Sequence, residues 1–355
     1  MSEVLDFEIF VKKIETSKLS DVDFDDLKFG AIFSDYMVDV DFEEGKWNDP
    51  VIRPYQNLTL SPACSALHYG QAIFEGMKAY KTVDGKVALF RPEKNAARFN
   101  LSAARMSMPE ISEEMFLESL KKLVSLEKDW VPSNEGHSLY LRPYMFANDP
   151  FIGVRTSQNY KFIIFCSPVG KYYGKKIRVK VAEQYVRAVK GGTGFAKAAG
   201  NYAATLYPAL QVAKDGFDQI LWTDAYEHKY VQEIGTMNFF TIIDGVAYTA
   251  PPDGQILEGV TRESVMTLLK DRGIEVVERP ITIDEIVEAY DNGKLEDAFG
   301  TGTAASVAPI AEINYKSKSL IIDENKSIAE SIKQELDDIK YGKIEDRHNW
   351  MVIVD

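Results

Sequence analysis

The chain has 355 residues, 45% of them hydrophobic and 27% charged, with a net charge of −13. That length accommodates two domains with sizeable cores, and the balance is that of an ordinary globular protein rather than a disordered or fibrous one. The charge excludes the basic stripe that a phosphate backbone demands, so nucleic acid is not an expected partner.

The acidity is concentrated at the start, where residues 1–50 hold fourteen acids against five lysines and no arginine. Such a stretch reads as a solubilising face. The first 30 residues lack a basic flank and a long apolar core, so no secretion signal is expected. No apolar run approaches the roughly 20 residues that span a bilayer, so neither is a membrane partner. Two cysteines, Cys64 and Cys166, and four scattered histidines form neither a disulfide framework nor a metal spacing. Cys166 follows the apolar run Phe162-Ile163-Ile164-Phe165, which predicts a buried thiol. A reduced, cytoplasmic protein without metal is the expectation.

In chain order, Glu43-Glu44-Gly45-Lys46 is a turn signal, and 87–90 reads as a short strand. Pro92 stands at a helix start, with Ala96, Ala97, Phe99, Leu101 and Ala104 at helical spacing. Ser112 caps a second helix that turns Met115, Leu117, Leu120 and Leu123 inward. Strands are predicted at 138–146 and 160–166. The segment 168–176, rich in Gly, Lys and Tyr, suits a junction between domains. Beyond it come a strand at 177–181, a helix from about 202 to 214 stopped by Gly216, and strands at 219–223, 230–233, 239–243 and 247–249. A helix over 261–272 ends at Gly273, and a strand follows at 274–277. Thr282 with Glu285 forms a capping box for a helix over about 283–290. A strand at 298–299 and a helix over about 327–340 complete the reading. The mixture predicts an α/β (α+β) protein of two domains, a smaller one over 1–170 and a larger one over 187–355, joined by a linker at 171–186. Small-molecule sites favour the cleft between such domains.

The most informative segment is Gly191-Gly192-Thr193-Gly194-Phe195-Ala196-Lys197-Ala198-Ala199-Gly200-Asn201-Tyr202. One lysine lies among small residues that leave room for a flat group against the backbone. An amine kept from water can be neutral, and a neutral amine attacks an aldehyde to form a Schiff base. The pattern is not a phosphate loop, because Lys197 follows Ala196 and precedes Ala198 rather than Ser or Thr. A glycine-rich turn with a surface lysine remains the alternative.

Three further segments suit an anionic, aromatic cofactor. Gly259-Val260-Thr261-Arg262 has the form of a helix start, whose open N–H groups face anions. Gly300-Thr301-Gly302-Thr303-Ala304-Ala305 repeats that form after a strand. Glu233, in Val231-Gln232-Glu233-Ile234, is an acid in an apolar strand that needs a partner. A pyridinium N–H would serve, as would an ordinary Lys or Arg.

Together these segments resemble the branched-chain amino acid aminotransferases among the fold-type IV pyridoxal phosphate enzymes, in the longer form of that family. The likeness runs from about Asp35 to Tyr341. It is carried by Leu67-His68-Tyr69-Gly70-Gln71-Ala72-Ile73-Phe74-Glu75-Gly76-Met77-Lys78-Ala79-Tyr80, by Phe90-Arg91-Pro92, by Tyr140-Leu141-Arg142-Pro143, and by the lysine segment. Glu233 to Asn238, Leu257 to Arg262 and Phe299 to Ala304 complete it.

The resemblance implies pyridoxal 5′-phosphate bound to Lys197, which also shuttles the proton. It places Tyr202 at the phenolic oxygen, Glu233 at the ring nitrogen, Leu257 on the ring and Thr236 nearby. Arg98 and Arg187 are similar to the phosphate-side arginines, with Gly259, Val260, Thr261 and Thr303 around the phosphate. For the substrate it implies an aromatic wall of Tyr69, Phe74, Tyr140 and Tyr172. Thr303 and Ala304 would meet the α-carboxylate, and Arg142 with Tyr69 the second carboxylate of glutamate. A loop near Val154 would close over the partner's pocket in a homodimer. The implied reaction exchanges amino groups between leucine, isoleucine or valine and 2-oxoglutarate. Where some animal members carry a Cys-x-x-Cys pair, this chain has Ala305 and Ala308, so no thiol switch is implied. Other enzymes of the same fold type, a D-amino acid aminotransferase or an aminodeoxychorismate lyase, are the nearest rivals. A catalytically silent cofactor-binding protein is a more distant one.

Overall fold

Strands of the first half of the chain that are buried along most of their length build a sheet whose neighbours are nearly all antiparallel. The computed structural model describes residues 6–323 and 327–354. The chain divides into two compact units, one running to Tyr172 and including Ala196–Ala199 and Ile339–Asp355, the other made of Tyr173–Phe195 and Gly200–Asp338.

In the first unit the main path of the sheet runs Phe10–Val11, Val51–Pro54, Tyr36–Glu43, Tyr160–Val169, Ser138–Ala147, Met77–Lys81, Val87–Phe90, Met351–Val354. The strands Ser138–Ala147 and Tyr160–Val169 pair along their whole length. Helices Pro92–Arg105 and Glu113–Leu126 supply the other layer. Phe99, Phe116 and Phe162 meet there with ring centroids 5.4–5.6 Å apart, and all three are wholly buried. Large aromatic surfaces removed from water in this way dominate core energetics. Ser112 caps its helix by accepting from the Met115 N–H at 3.1 Å, as its position predicts. Cys166 is buried as expected; burial, with the Glu127 charge nearby, pushes its thiol up.

Helix Pro92–Arg105 departs from its predicted face. Ala97, Leu101 and Ala104 lie outward, while Asn95, Arg98 and Ser102 join Ala96, Phe99 and Ala103 inside. The polar members turn inward because a buried carboxylate, Glu75, awaits two of them.

In the second unit six strands pair in a closed ring: Val231–Ile234, Gln219–Thr223, Ile177–Val181, Ser306–Tyr315, Leu295–Gly302 and Met237–Ile243, which returns to the first. Closure leaves these strands without an open edge. Its core includes Val179, Leu221, Phe239, Ala298 and Ile310. Helices Val260–Asp271, Ile283–Asp291 and Ile328–Lys340 belong to the C-terminal half. The capping box at Thr282 and Glu285 is complete.

Three differences from the sequence reading have local causes. The helix expected over 202–214 is broken into Ala199–Ala203 and Leu206–Lys214. Pro208 lacks an N–H and is tolerated only in a first turn, so the helix restarts two residues before it. The Thr205 hydroxyl also donates to the Tyr202 carbonyl at 2.8 Å, competing with helical bonding. No helix follows Gly302. Residues 303–305 form a three-residue hairpin loop between antiparallel strands with Gly302 opposite Ser306, and Ser306 takes the left-handed conformation (φ 62°) such loops require. Finally, strand Ile177–Val181 is part of the closed ring rather than a linker, and the chain from Ile339 onward clusters with the first unit, where Met351–Val354 pairs with Val87–Phe90. Among the described residues, no helix is long and apolar enough to cross a membrane.

Candidate active site

In the first unit, Lys197 is held by its own peptide. Its N–H donates to the Ser102 hydroxyl at 2.9 Å, and its carbonyl accepts from the Phe74 N–H at 3.1 Å. Ala198 forms an antiparallel bridge with Ile73. The small neighbours let this extended segment lie against the short strand Ala72–Phe74, with Ala196 and Ala198 buried and Lys197 half-buried. The Lys197 ammonium stands over the Phe74 ring, 4.7 Å from its centroid, a favourable placement for a cation.

Behind Phe74 lies Glu75, which is 0% exposed. Arg98 donates through Nε and Nη2 to its two oxygens at 2.8 and 2.9 Å, and Asn95 donates to Oε2 at 2.8 Å. Burial raises the Glu75 carboxyl, but the charge and hydrogen bonds of Arg98, the Lys197 charge and Asn95 outweigh it and hold it below the ordinary value. Arg98, which alone would read as a surface residue, is therefore buried in a bidentate ion pair.

The Arg142 guanidinium also lies over Phe74, 4.6 Å from that ring's centroid and 5.3 Å from that of Tyr140. Its Nη2 donates to the Tyr140 hydroxyl at 3.0 Å. Its Nε is buried and meets no hydrogen-bond acceptor among the described residues. Gly76 makes the tyrosine's position possible, because a Cβ there would stand 2.2 Å from the Tyr140 hydroxyl. Phe29 contacts Tyr140 and Tyr172 edge-on, at 5.0 and 5.3 Å. Phe74, Arg142, Tyr140 and Tyr172 are thus joined, with Phe29 as a member that no sequence motif indicated. Tyr69, on the short helix Ser65–Tyr69, contacts the ring of His68 instead. Val154 is 90% exposed. The ends of its loop are tied by Asp149, which accepts from the N–H groups of Gln158 and Asn159 at 3.0 and 2.8 Å. Burial raises the Asp149 carboxyl, but those bonds prevail and lower it.

In the second unit, Glu233 is buried and fully engaged. Oε1 accepts from the Leu257 N–H and from Asn238 Nδ2, both at 3.0 Å. Oε2 lies 2.6 Å from Arg187 Nε. Arg187 also donates to the carbonyls of Gly194 and Gln255. Its nearest charge is therefore Glu233, the kind of partner an isolated buried acid would need, whereas the family resemblance had put this arginine beside a phosphate. Asn238 links Glu233 to the helix start, donating to the Leu257 carbonyl at 2.8 Å, and a Cβ on Gly259 would stand 2.2 Å from its Oδ1. Gly259 is the N-cap of helix Val260–Asp271, whose Val260 and Thr261 are buried. N–H groups of a first turn have no acceptor within the helix, and together with the helix dipole they favour an anion. Thr236 is exposed in the turn between the strands Val231–Ile234 and Met237–Ile243. Tyr202 is half-buried on helix Ala199–Ala203, and Thr303 and Ala304 are half-buried in the hairpin loop.

The first unit thus holds an amine on a fixed peptide beside linked aromatics and an arginine, and the second a tethered carboxylate beside a helix start. Comparison with known proteins gives this set a family. The model of the family described as "Amino-transferase class IV" matches residues 72–313. Branched-chain-amino-acid transaminase 1 of Bacillus subtilis (strain 168) is 50% identical over 335 residues, covering 92% of this chain and 94% of that protein. The branched-chain aminotransferase of Thermoproteus uzoniensis, solved with norvaline, superposes with a TM-score of 0.75 at 25% identity, covering 90% of this chain and 100% of that one. The T.th. branched-chain amino acid aminotransferase, solved with N-(5′-phosphopyridoxyl)-L-glutamate, superposes with a TM-score of 0.71 at 26% identity, covering 89% and 98%. The chain belongs to the branched-chain aminotransferases of the class IV, or fold-type IV, aminotransferase family.

Proposed function

We propose that this aminotransferase exchanges amino groups between L-leucine, L-isoleucine or L-valine and 2-oxoglutarate, with pyridoxal 5′-phosphate held covalently by Lys197. The observation that carries the reading is the Lys197 amine, set on a peptide fixed at both N–H and carbonyl and standing against the Phe74 ring. The residues present suit the cofactor's chemistry. They offer an amine for an aldehyde, a tethered carboxylate for a ring nitrogen, and a glycine-started helix for a phosphate.

When bound, the cofactor supplies an electrophilic carbon and a ring that draws electrons from the substrate Cα. Lys197 Nζ removes the Cα proton and later returns one. Glu233 holds the proton on the ring nitrogen, and its bonds to Asn238, Leu257 and Arg187 keep it in place for that task. Tyr202 would steady the phenolic oxygen, Leu257 would pack on the ring, and Thr236 would serve the same group. Gly259, Val260, Thr261 and Thr303 would hold the phosphate together with Arg98, and Arg187 would contribute from its seat on Glu233. Phe74, Tyr69, Tyr140 and Tyr172 wall in an aliphatic side chain. Thr303 and Ala304 receive the α-carboxylate through backbone N–H groups of their loop rather than a helix start. The buried Arg142 Nε supports a role in binding the second carboxylate of glutamate. The exposed Val154 suits a homodimer in which its loop reaches the partner's pocket. A cytoplasmic setting completes the proposal.

Lys197→Ala tests it. Covalent cofactor and nearly all turnover should disappear. A variant that keeps a near-normal rate ends the reading. Parallel assays with L-leucine, D-alanine and aminodeoxychorismate separate it from its fold-type relatives, because only the first should be a good substrate.

A further inference from the structure

We infer that Glu75 is a positioning residue that closes a ring of contacts around the Lys197 peptide by locking helix Pro92–Arg105 to strand Ala72–Phe74. The ring can be followed bond by bond. Lys197 N–H donates to Ser102 Oγ at 2.9 Å, and that hydroxyl donates to the Arg98 carbonyl one turn earlier at 3.0 Å. Arg98 and Asn95, on the same helix, reach Glu75 at 2.8–2.9 Å. Glu75 adjoins Phe74, whose N–H donates to the Lys197 carbonyl at 3.1 Å. The Glu75 N–H is itself anchored to the Pro143 carbonyl at 2.7 Å.

Every member of this ring is satisfied only while the others stay in place. The Ser102 hydroxyl serves as both donor and acceptor, and its direction depends on where the helix sits. The helix is set against the strand by a carboxylate that is 0% exposed and takes three side-chain donors. A charge so deeply buried is costly without its partners, so the arrangement has few alternatives. Both elements that grip the Lys197 peptide are thereby registered to each other through Glu75. A side chain outside direct reach of the reaction fixes the amine's starting point.

The test is amide hydrogen exchange of the full chain without added cofactor, read by mass spectrometry over residues 195–199. Glu75→Leu should speed exchange of the Lys197 amide by about tenfold or more, while strand Gln219–Thr223 keeps its protection. Glu75→Gln, which keeps acceptor and shape, should recover most of the loss. Should Glu75→Leu fail to fold, the Glu75→Leu/Arg98→Leu double variant removes the buried charges together, and fast exchange at Lys197 in a folded double variant supports the tie. Wild-type exchange at Lys197 in either folded variant overturns it. The consequence for turnover rests on the proposed role of Lys197. With cofactor, kcat should fall at least tenfold in Glu75→Leu with KM changed far less. Faster exchange with unchanged kcat would leave the tie standing but overturn the positioning role of Glu75 in turnover, while the role of Lys197 itself is tested separately by Lys197→Ala.

Discussion

Arg187 Nε stands 2.6 Å from Glu233 Oε2, with both side chains almost wholly buried. Removing one member of such a pair leaves the other charge without compensation, at a cost of about 3 kcal/mol or more. Arg187→Met should therefore destabilise the protein by that order in denaturant unfolding, and Glu233→Gln by less, since the amide keeps an acceptor for the Leu257 N–H. An Arg187→Met midpoint equal to wild type would mean the pair contributes nothing to stability.

Arg142 offers a test of substrate choice. Its guanidinium is already stacked on Phe74 and bonded to Tyr140, so little ordering is needed to bind a carboxylate. Arg142→Met should raise KM for glutamate and 2-oxoglutarate by roughly tenfold or more, the loss of a charged hydrogen bond, with leucine affected less. Equal losses for the two substrates would remove the assignment.

Gly76 guards the same group from behind. A methyl there would stand 2.2 Å from the Tyr140 hydroxyl, and overpacking of this kind costs about 1–3 kcal/mol. Gly76→Ala should push Tyr140 away from Arg142 and raise KM for the dicarboxylate. Adding Tyr140→Phe removes the colliding oxygen, leaving only the milder 3.0 Å approach of the ring carbon, and should restore part of the lost stability. If the double variant is no more stable than Gly76→Ala alone, the collision is not the cause.

Glu127 governs a pH dependence in the first unit. Burial, and secondarily the charge of Asp35, push its carboxyl up to about 7 despite the hydrogen bond from the Tyr36 N–H. The folded state thus keeps a proton that the unfolded chain releases at ordinary carboxylate pH. Stability should fall as pH rises from about 4.5 to 7 and level off above, by up to about 3 kcal/mol. Glu127→Gln should be spared this loss, so its advantage over wild type should grow from pH 5 to pH 8. Parallel stability profiles for the two proteins would refute it.

Local punctuation was legible in the sequence. Gly45, Ser112, Gly216 and the Thr282–Glu285 box act within a turn of themselves, and their elements lie where those residues indicate. Features set by distant partners were not. The inward face of helix Pro92–Arg105 includes Arg98 because Glu75 is there to meet it, and nothing near Arg98 in the sequence says so. Phe29 lies in an acidic stretch without periodicity, yet it joins Tyr140 to Tyr172. The glycines at 300 and 302 read as the start of a helix, but the same small residues serve a hairpin, and Gly300 and Gly302 let Met237 pack closely. Strand Ser306–Tyr315 was hidden by Pro309, which a central strand rarely carries. Its pairing with Ile177–Val181 begins at Ile310, just past the proline. The Lys197 segment was conspicuous as a run of small residues, whereas the hydrogen bonds that fix its peptide come from residues 74 and 102.

The return of the chain from Ile339 to the first unit has a consequence for biosynthesis. A ribosome makes residues 6–172 early, when the edge strand Met351–Val354 and the lysine-bearing stretch Ala196–Ala199 are still unmade. The nascent first unit waits with strand Val87–Phe90 uncovered, a surface prone to mispairing, until synthesis has passed through the whole of the second. Vectorial folding of this polypeptide therefore cannot finish in N-to-C order: the half that is translated first is completed last.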